Sequence, residues 1–103
     1  MLHAIRQFDI EGEMSFKENW ERVTMYMRSA KSFVVLKEDD DAEFESWLER
    51  NELELAWDAL YDNAIIQSPG SVYERRFLLR MLQAATLMML NDPKINKVYE
   101  RLR

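Results

Sequence analysis

Residues 68–93 have the sequence SPGSVYERRFLLRMLQAATLMMLNDP, which contains a clear signal for a long buried helix. It opens with a Pro-Gly turn, and Ser71 followed by Glu74 is a capping box, which predicts that a helix begins there. Apolar residues then recur at spacings of three and four, which indicates a helix with one buried side. These residues are Phe77, Leu78, Met81, Leu82, Ala85, Met88 and Met89. The sequence therefore predicts a long, deeply buried fourth helix, closed by the run Asn91-Asp92-Pro93.

A first helix is predicted upstream by a second capping box, Ser15 with Glu18, and we expect it to run to about Lys31. Its apolar residues fall in a heptad-like row: Phe16, Trp20, Val23, Met27 and Ala30. The run FVVL that follows, residues 33–36, is short and β-branched. We therefore expect an extended connection there, without a sheet.

Two shorter helices are predicted between this connection and the Pro-Gly turn. Asp40 or Asp41 can cap the second helix, which we expect to end near Arg50. Asn51 can cap the third helix, which we expect to stop at Gln67. The inward-facing residues of these two helices are Phe44, Trp47, Leu48, Leu53, Ala56, Trp57, Leu60 and Ala64.

A short last helix is predicted with Asp92 as its cap and Pro93 at its first position. Its inward-facing residues are Ile95, Val98, Tyr99 and Leu102. Since short connections favour antiparallel neighbours, the predicted fold is all-α, a compact antiparallel bundle of four main helices plus a short C-terminal helix. The 103 residues fit a single helical domain, in which we expect residues 1–13 to be a loose N-terminal segment.

Methionines and tryptophans recur at core-like spacing along these helices. They are Met25, Met27, Met81, Met88, Met89, Trp20, Trp47 and Trp57. Because they stand beside other core-spaced residues, we expect them to fill the core rather than to form an adaptable binding groove.

The composition excludes most catalytic and metal chemistry. The chain has no cysteine, and its one histidine, His3, lies in the predicted loose segment, so a base beside a nucleophile is missing. A calcium loop beginning at Asp39 fails, because Phe44 stands where the loop glycine is needed and Arg50 where a bidentate glutamate is needed. We expect a protein that is not an enzyme and has no metal and no cofactor. Without an apolar run of membrane-spanning length or a signal-peptide core, we expect no membrane association and a cytoplasmic location.

The charges are strongly segregated along the chain. Residues 38–62 contain eleven Asp and Glu against Arg50 alone, a net charge of -10, whereas residues 1–37 carry +1 and residues 63–103 carry +4. Such a field repels nucleic acid, so we expect no direct nucleic-acid binding and favour a basic protein partner. On the helices, acidic residues recur at spacings of three and four, where like charges repel each other.

The candidate partner-binding residues all belong to this acidic segment. They are Asp39, Asp40, Asp41, Glu45, Glu49, Glu52, Asp58 and Asp62. For Asp58 and Asp62 an equally good alternative is simple solvation or internal neutralisation by arginines of the fourth helix, namely Arg75, Arg76 and Arg80. Three apolar residues point away from the main apolar side of the third helix, and they are predicted to be either anchors beside the acidic residues or contacts to another helix. They are Leu55, Ile65 and Ile66.

The sequence WLERNELELAWDAL, residues 47–60, resembles a known family. It is similar to the Asn-Glu-x-Glu-Leu-Ala stretch of small all-helical bacterial immunity proteins, which neutralise toxins of contact-dependent growth-inhibition and polymorphic toxin systems. Asn51 and Glu52 match the pattern, and capping accounts for Asn51 structurally. The resemblance implies a non-enzymatic protein that binds the C-terminal toxin domain, and such toxins are often basic nucleases.

Two readings of function remain open at this point. One is an acidic immunity protein that binds a basic toxin domain, with a nuclease as the expected target. The other is a helical adaptor or regulatory protein-binding module without a toxin partner. Both a monomer and a homodimer are compatible with the amphipathic last helix.

Overall fold

The structure is a computed structural model that describes residues 18–103. Five helices lie in this part of the chain: residues 18–31 form α1, Glu38–Glu49 α2, Leu53–Asn63 α3, Val72–Met88 α4 and Lys94–Leu102 α5. The predicted all-α bundle of four main helices plus a short C-terminal helix is confirmed. Four predictions lie outside the described residues: the cap at Ser15, the place of Phe16 in the apolar row, the loose segment of residues 1–13, and the position of His3.

All five helices contribute to one apolar core, in which Trp57 of α3 is the largest fully buried side chain. Its indole Nε1 donates a hydrogen bond of 2.8 Å to the Met81 carbonyl of α4. Its ring stacks on Tyr61, with the ring centroids 5.3 Å apart. The core residues are Val23, Met27, Ala30, Phe44, Leu48, Ala56, Trp57, Leu60, Phe77, Leu78, Met81, Ala84, Ala85 and Val98. Burial of the indole thus joins α3 to α4 while its polar atom keeps a partner.

The predicted methionine positions divide according to helical register. Met27 and Met81 are fully buried, as predicted, whereas Met25 is 56% exposed and Met89 is 87% exposed. A helix advances by about 100° per residue, so Met25, two residues before Met27, faces solvent. Met89 follows the last residue of α4 in the left-handed conformation, with φ 55°, and its side chain leaves the buried row. The core prediction was wrong for these two residues.

The start of α2 differs from the prediction. The helix begins at Glu38, and Lys37 occupies the N-cap position without a side-chain cap hydrogen bond. Asp40 and Asp41 therefore lie inside the first turn, and their prediction as caps was wrong. Four acidic residues in that turn interact favourably with the positive end of the helix dipole, which stabilises the helix start without a cap.

The turn between α2 and α3 corrects the predicted role of Asn51. Asn51 has a left-handed backbone with φ 62°, and its N–H donates to the Leu48 carbonyl over 3.1 Å. The next N–H, that of Glu52, donates to the Trp47 carbonyl over 2.9 Å. This pair of bonds is a Schellman motif, which ends α2, and Glu52 occupies the N-cap position of α3. Asn51 is thus structural, but it ends α2 rather than capping α3.

Helix α3 is shorter than predicted because a β-bridge forms after it. Val35 and Ile65 exchange two backbone hydrogen bonds, of 3.1 and 2.8 Å, in an isolated antiparallel bridge. Residues 33–36 thus include the extended connection that was predicted. Their pairing draws residues 64–66 out of helical conformation, so α3 ends at Asn63 and not at Gln67.

Helix α4 begins as the capping box predicted. The Ser71 hydroxyl accepts a hydrogen bond from the Glu74 N–H over 3.4 Å. The Glu74 carboxylate accepts a bond of 2.9 Å from the N–H of Gly70, whose φ is 80°. Glu74 also pairs with Arg101 of α5 at 3.1 Å, which joins α4 to α5.

Helix α5 packs on the bundle through fully buried Val98. The helix begins at Lys94, one residue later than predicted, and Pro93 rather than Asp92 occupies the N-cap position. The Asp92 carboxylate still accepts a 2.9 Å hydrogen bond from the Lys94 N–H. Tyr99 is exposed, contrary to prediction, because the buried side contains Val98 and the residues one turn away from it.

We expect the two methionines of α1 to differ sharply on truncation. Met27→Ala should lower the free energy of unfolding by about 2 to 4 kcal/mol, because it leaves a cavity in the core. Met25→Ala, the matched control on the same helix, should change it by less than about 0.5 kcal/mol. Urea unfolding measures both, and equal losses would contradict the register of α1.

The Glu74 carboxylate predicts a pH-dependent part of the stability. Burial alone would raise the pKa of Glu74, but the Gly70 N–H and the Arg101 hydrogen bond and charge together lower it. A lowered pKa stabilises the folded state above the ordinary value of 4.5, and this stabilisation is lost as the pH falls through the folded-state value. Glu74→Gln should therefore cost about 1 to 2 kcal/mol at neutral pH and progressively less in acid. Urea unfolding across this pH range measures the difference, and a pH-independent difference would contradict the account.

Candidate protein-binding surface

The eight predicted partner-binding residues lie on two consecutive helices and the turn between them. Asp39, Asp40, Asp41, Glu45 and Glu49 are on α2, Glu52 is the N-cap residue of α3, and Asp58 and Asp62 are on α3. Their environments divide them into two equal groups. Four pair with lysine or arginine of this chain, and four have no ion-pair partner within residues 18–103.

Lys31, the last residue of α1, neutralises two carboxylates of α2. Its Nζ lies 2.8 Å from Asp41 and 3.1 Å from Glu45, and 5.7 Å from the centroid of the Phe44 ring. Arg28 adds a second contact to Glu45, at 2.8 Å. The hydrogen bond to Asp41 is the main cause that raises the pKa of Lys31, against the opposing effect of burial. Asp41 and Glu45 thus join α2 to α1.

Lys94 neutralises the other two paired carboxylates. Its Nζ lies 2.9 Å from Asp62 and 3.1 Å from Asp58, and these hydrogen bonds, with that to Asp62 first, raise the pKa of Lys94. Asp62 stands near the negative end of α3, and Lys94 at the positive end of α5. Each side chain alone would interact unfavourably with the dipole of its own helix. The ion pair between them offsets both unfavourable interactions.

The alternative in which fourth-helix arginines neutralise Asp58 and Asp62 was wrong. Arg75 donates to the Leu102 carbonyl over 3.0 Å, and Arg76 lies 5.9 Å from the Phe33 ring centroid. Arg80 donates to the Ser29 hydroxyl and to the Gln83 side chain. The side chains of these arginines thus contact α1, α5, the α1–α2 connection and α4 itself.

Seven of the eleven carboxylates in residues 38–62 have no ion-pair partner within the described part of the chain. We call them the acidic surface: Glu38, Asp39, Asp40, Glu43, Glu49, Glu52 and Glu54. Asp40 is half-buried and the other six are exposed. Arg50, the one cation of this segment, lies 5.3 Å from the Trp47 ring centroid and forms no ion pair within residues 18–103.

Local structure accounts for most of the acidic surface. Residues 38–40 lie in the first turn of α2, and Glu52 and Glu54 lie at the start of α3, where the helix dipole favours negative charge. Glu43 accepts a hydrogen bond from the Trp47 indole over 3.4 Å. Glu49 has no such explanation, because it is the last residue of α2, at the negative end of the dipole, and is exposed.

Two of the three predicted apolar anchors are exposed. Leu55 is 42% exposed on the outward side of α3, three residues after Glu52, and Ile65 is exposed beside the β-bridge. Ile66 packs against the core, which agrees with the alternative prediction of a contact to another helix rather than with that of an anchor. Sequence reasoning missed Lys31 and Lys94, because each lysine pairs with carboxylates of another helix and no local sequence pattern links the partners.

Within residues 18–103, no group of three His, Cys, Asp or Glu side chains is arranged to hold a metal ion. None of the helices described there is long and apolar enough to cross a membrane.

Replacing Lys94 should reveal the charges that it neutralises. Lys94→Gln should lower the free energy of unfolding by about 1 kcal/mol at neutral pH and low salt, and less at high salt. Because the pKa of Lys94 is raised in the folded state, its contribution is complete below pH 10.5 and is lost as the pH rises through the folded-state pKa. Lys97→Gln, on the same helix but without an ion pair among residues 18–103, is the matched control. Urea unfolding of both variants is the measurement, and equal losses would contradict the role of Lys94.

Comparisons of the chain with protein-family models, with curated proteins and with solved structures find no match. The candidate surface is therefore interpreted from its own residues: their exposure, their ion pairs and their places on the helices.

Proposed function

We propose that this protein is an immunity protein that binds a basic toxin domain, such as a nuclease, and neutralises it through the acidic surface. Binding does not require catalysis by this chain. The carboxylates of α2 and of the start of α3 attract the toxin, and apolar side chains beside them complete the contact.

The single observation that carries the proposal is the environment of Glu49. Its carboxylate is exposed, lies at the end of α2 where the dipole opposes it, and has no ion-pair partner within residues 18–103. Asp62, which also lies near the negative end of its helix, is by contrast paired with Lys94 of the same molecule. The charge of Glu49 reduces the stability of α2, and no cation of the described residues offsets it. We therefore expect a cation of a binding partner to pair with it.

The charge distribution supports fast association with a cationic protein. Asp39 and Glu49, at opposite ends of α2, are both exposed and about 15 Å apart along the helix at 1.5 Å per residue. Carboxylates spread over this length produce an extended negative field rather than a point charge. Such a field raises the association rate with a basic partner and repels nucleic acid, so the protein would compete for a nuclease without binding its substrate.

Leu55 supplies an apolar contact beside these charges. It is 42% exposed and lies one helical turn from Glu52, a residue of the acidic surface. An apolar side chain among charges that stay solvated at the rim is a common arrangement in protein interfaces. In the proposed complex, the charges set the association rate and Leu55 slows dissociation.

The first experiment tests neutralisation directly. The chain is co-expressed with the toxin domain encoded beside its gene, and bacterial growth is compared with that of cells expressing the toxin domain alone. Restored growth, with co-purification of the two proteins, supports the proposal. Absence of a neighbouring toxin gene, or growth that stays inhibited while both proteins are expressed, contradicts it and favours the adaptor reading.

A matched pair of variants then tests the surface. Asp39→Asn/Glu49→Gln should slow association with the toxin domain by roughly threefold to tenfold at low salt and should leave the thermal midpoint of unfolding nearly unchanged. Glu21→Gln/Glu100→Gln removes the same charge from exposed sites on α1 and α5 and should have less than about a twofold effect. Stopped-flow or surface plasmon resonance measures the rates. Equal slowing by both variants would indicate net charge alone, and no slowing by either would contradict the assigned surface.

A further inference from the structure

The outward side of α4 is a second surface, with charge opposite to that of the acidic surface. Val72 and Leu79 are seven residues apart and therefore lie on the same side of the helix, two turns from each other. They are 54% and 38% exposed, and neighbouring Tyr73 is 58% exposed. Arg75 and Arg76 lie between them, within one turn of each. The surface is thus an aliphatic strip with cationic edges, and we call it the α4 face.

The cations of the α4 face are positioned but not neutralised. Arg75 is held by the Leu102 carbonyl and Arg76 lies over the Phe33 ring, and neither forms an ion pair with a carboxylate within residues 18–103. Both guanidinium groups are therefore partly ordered before any partner binds, which reduces the entropy lost on association. The chemistry that fits this face is an apolar side chain flanked by carboxylates.

The start of α3 has this chemistry. Leu55 is exposed, and Glu52 and Glu54 beside it are exposed carboxylates without ion-pair partners in the described part of the chain. On α2, by contrast, there are carboxylates but no exposed large apolar side chain. Two acids with one leucine therefore complement two arginines with two aliphatic residues.

We propose that the α4 face binds the start of α3 in a second copy of this chain, so that the protein self-associates in solution. The contact is heterologous, since two different surfaces meet. The guanidinium groups of Arg75 and Arg76 pair with two carboxylates of the second copy, those of Glu52 and Glu54. Leu55 of the second copy packs against Val72 and Leu79. The inference does not depend on a toxin and is tested without one.

The small size of the contact and the net charge of each copy limit the strength of this association. The patch is small, since it consists of three side chains on one copy and four on the other, and small interfaces give weak, transient complexes. Each copy also carries a net charge of -5, so the two molecules repel each other at long range. Moderate salt screens this repulsion more than it weakens contacting pairs. We expect a dissociation constant on the order of 100 µM near physiological salt.

The test is sedimentation velocity of the full-length protein over a range of concentrations around this value. The weight-average sedimentation coefficient of the wild-type protein should rise with concentration. Arg75→Glu/Arg76→Glu and Glu52→Lys/Glu54→Lys should each abolish the rise when measured alone, because like charges then face each other. An equimolar mixture of these two variants should associate again, because opposite charges are restored across the contact.

Two controls separate this contact from general charge effects and from unfolding. Lys97→Glu/Arg103→Glu makes the same charge change at exposed sites of α5 and should leave self-association of the protein intact. Leu79→Ser, which alters no charge and no ion pair, should weaken self-association at least about threefold while circular dichroism shows a folded protein. A protein that remains monomeric at all concentrations overturns the proposal. A rise with concentration that these α3 and α4 variants do not change also overturns it, because another surface then mediates association.

Discussion

Burial of the Trp57 indole against α4 sets the orientation of α3 in the bundle. The hydrogen bond from Nε1 to the Met81 carbonyl permits this burial and determines which side of α3 faces the core. The opposite side, with Leu55, Asp58 and Asp62, must then face outward. Repulsion between the two aspartates follows from that orientation, and Lys94 of α5 relieves it. One buried aromatic side chain thus determines both an exposed leucine and the docking of the last helix.

The ion pairs show where negative charge serves the fold and where it does not. Asp41 and Glu45 join α2 to α1 through Lys31, and Asp58 and Asp62 join α3 to α5 through Lys94. In each case one lysine contacts two carboxylates that are one helical turn apart. The two carboxylates would repel each other at that spacing, and the shared lysine offsets this repulsion. Part of the acidic repeat therefore stabilises the tertiary structure, because it forms ion pairs between helices. The carboxylates outside these pairs are the ones for which a partner is inferred.

Structural features with strong signals from residues close together in the sequence were predicted correctly. Features that depend on contacts between distant residues were missed. The Ser71–Glu74 box located the start of α4 because capping depends on residues only three apart. Asn51 was correctly placed at a helix boundary but given the wrong side, since asparagine suits both an N-cap and the left-handed residue after a helix. The end of α3 was missed because it depends on pairing between Val35 and Ile65, 30 residues apart. Lys94 was not recognised as the partner of Asp58 and Asp62 because no local pattern joins α5 to α3.

The separation of charge in this molecule has a single geometric origin. Arg75 and Arg76 stand on the outward side of α4, whose opposite side is occupied by Phe77, Leu78 and Met81. Their side chains are held by α5 and by the α1–α2 connection, so they do not neutralise α3 although α3 and α4 share the core. Arg75 and Arg76 therefore remain on a different surface from the unpaired carboxylates at the start of α3, and only a second molecule can bring the two together. Because Glu52 belongs both to the acidic surface and to the α3 site for a second copy, a basic toxin and a second copy would compete for it. Two copies, each with a net charge of -5, repel each other, whereas a basic toxin is attracted to the whole acidic surface, so the toxin complex would be favoured.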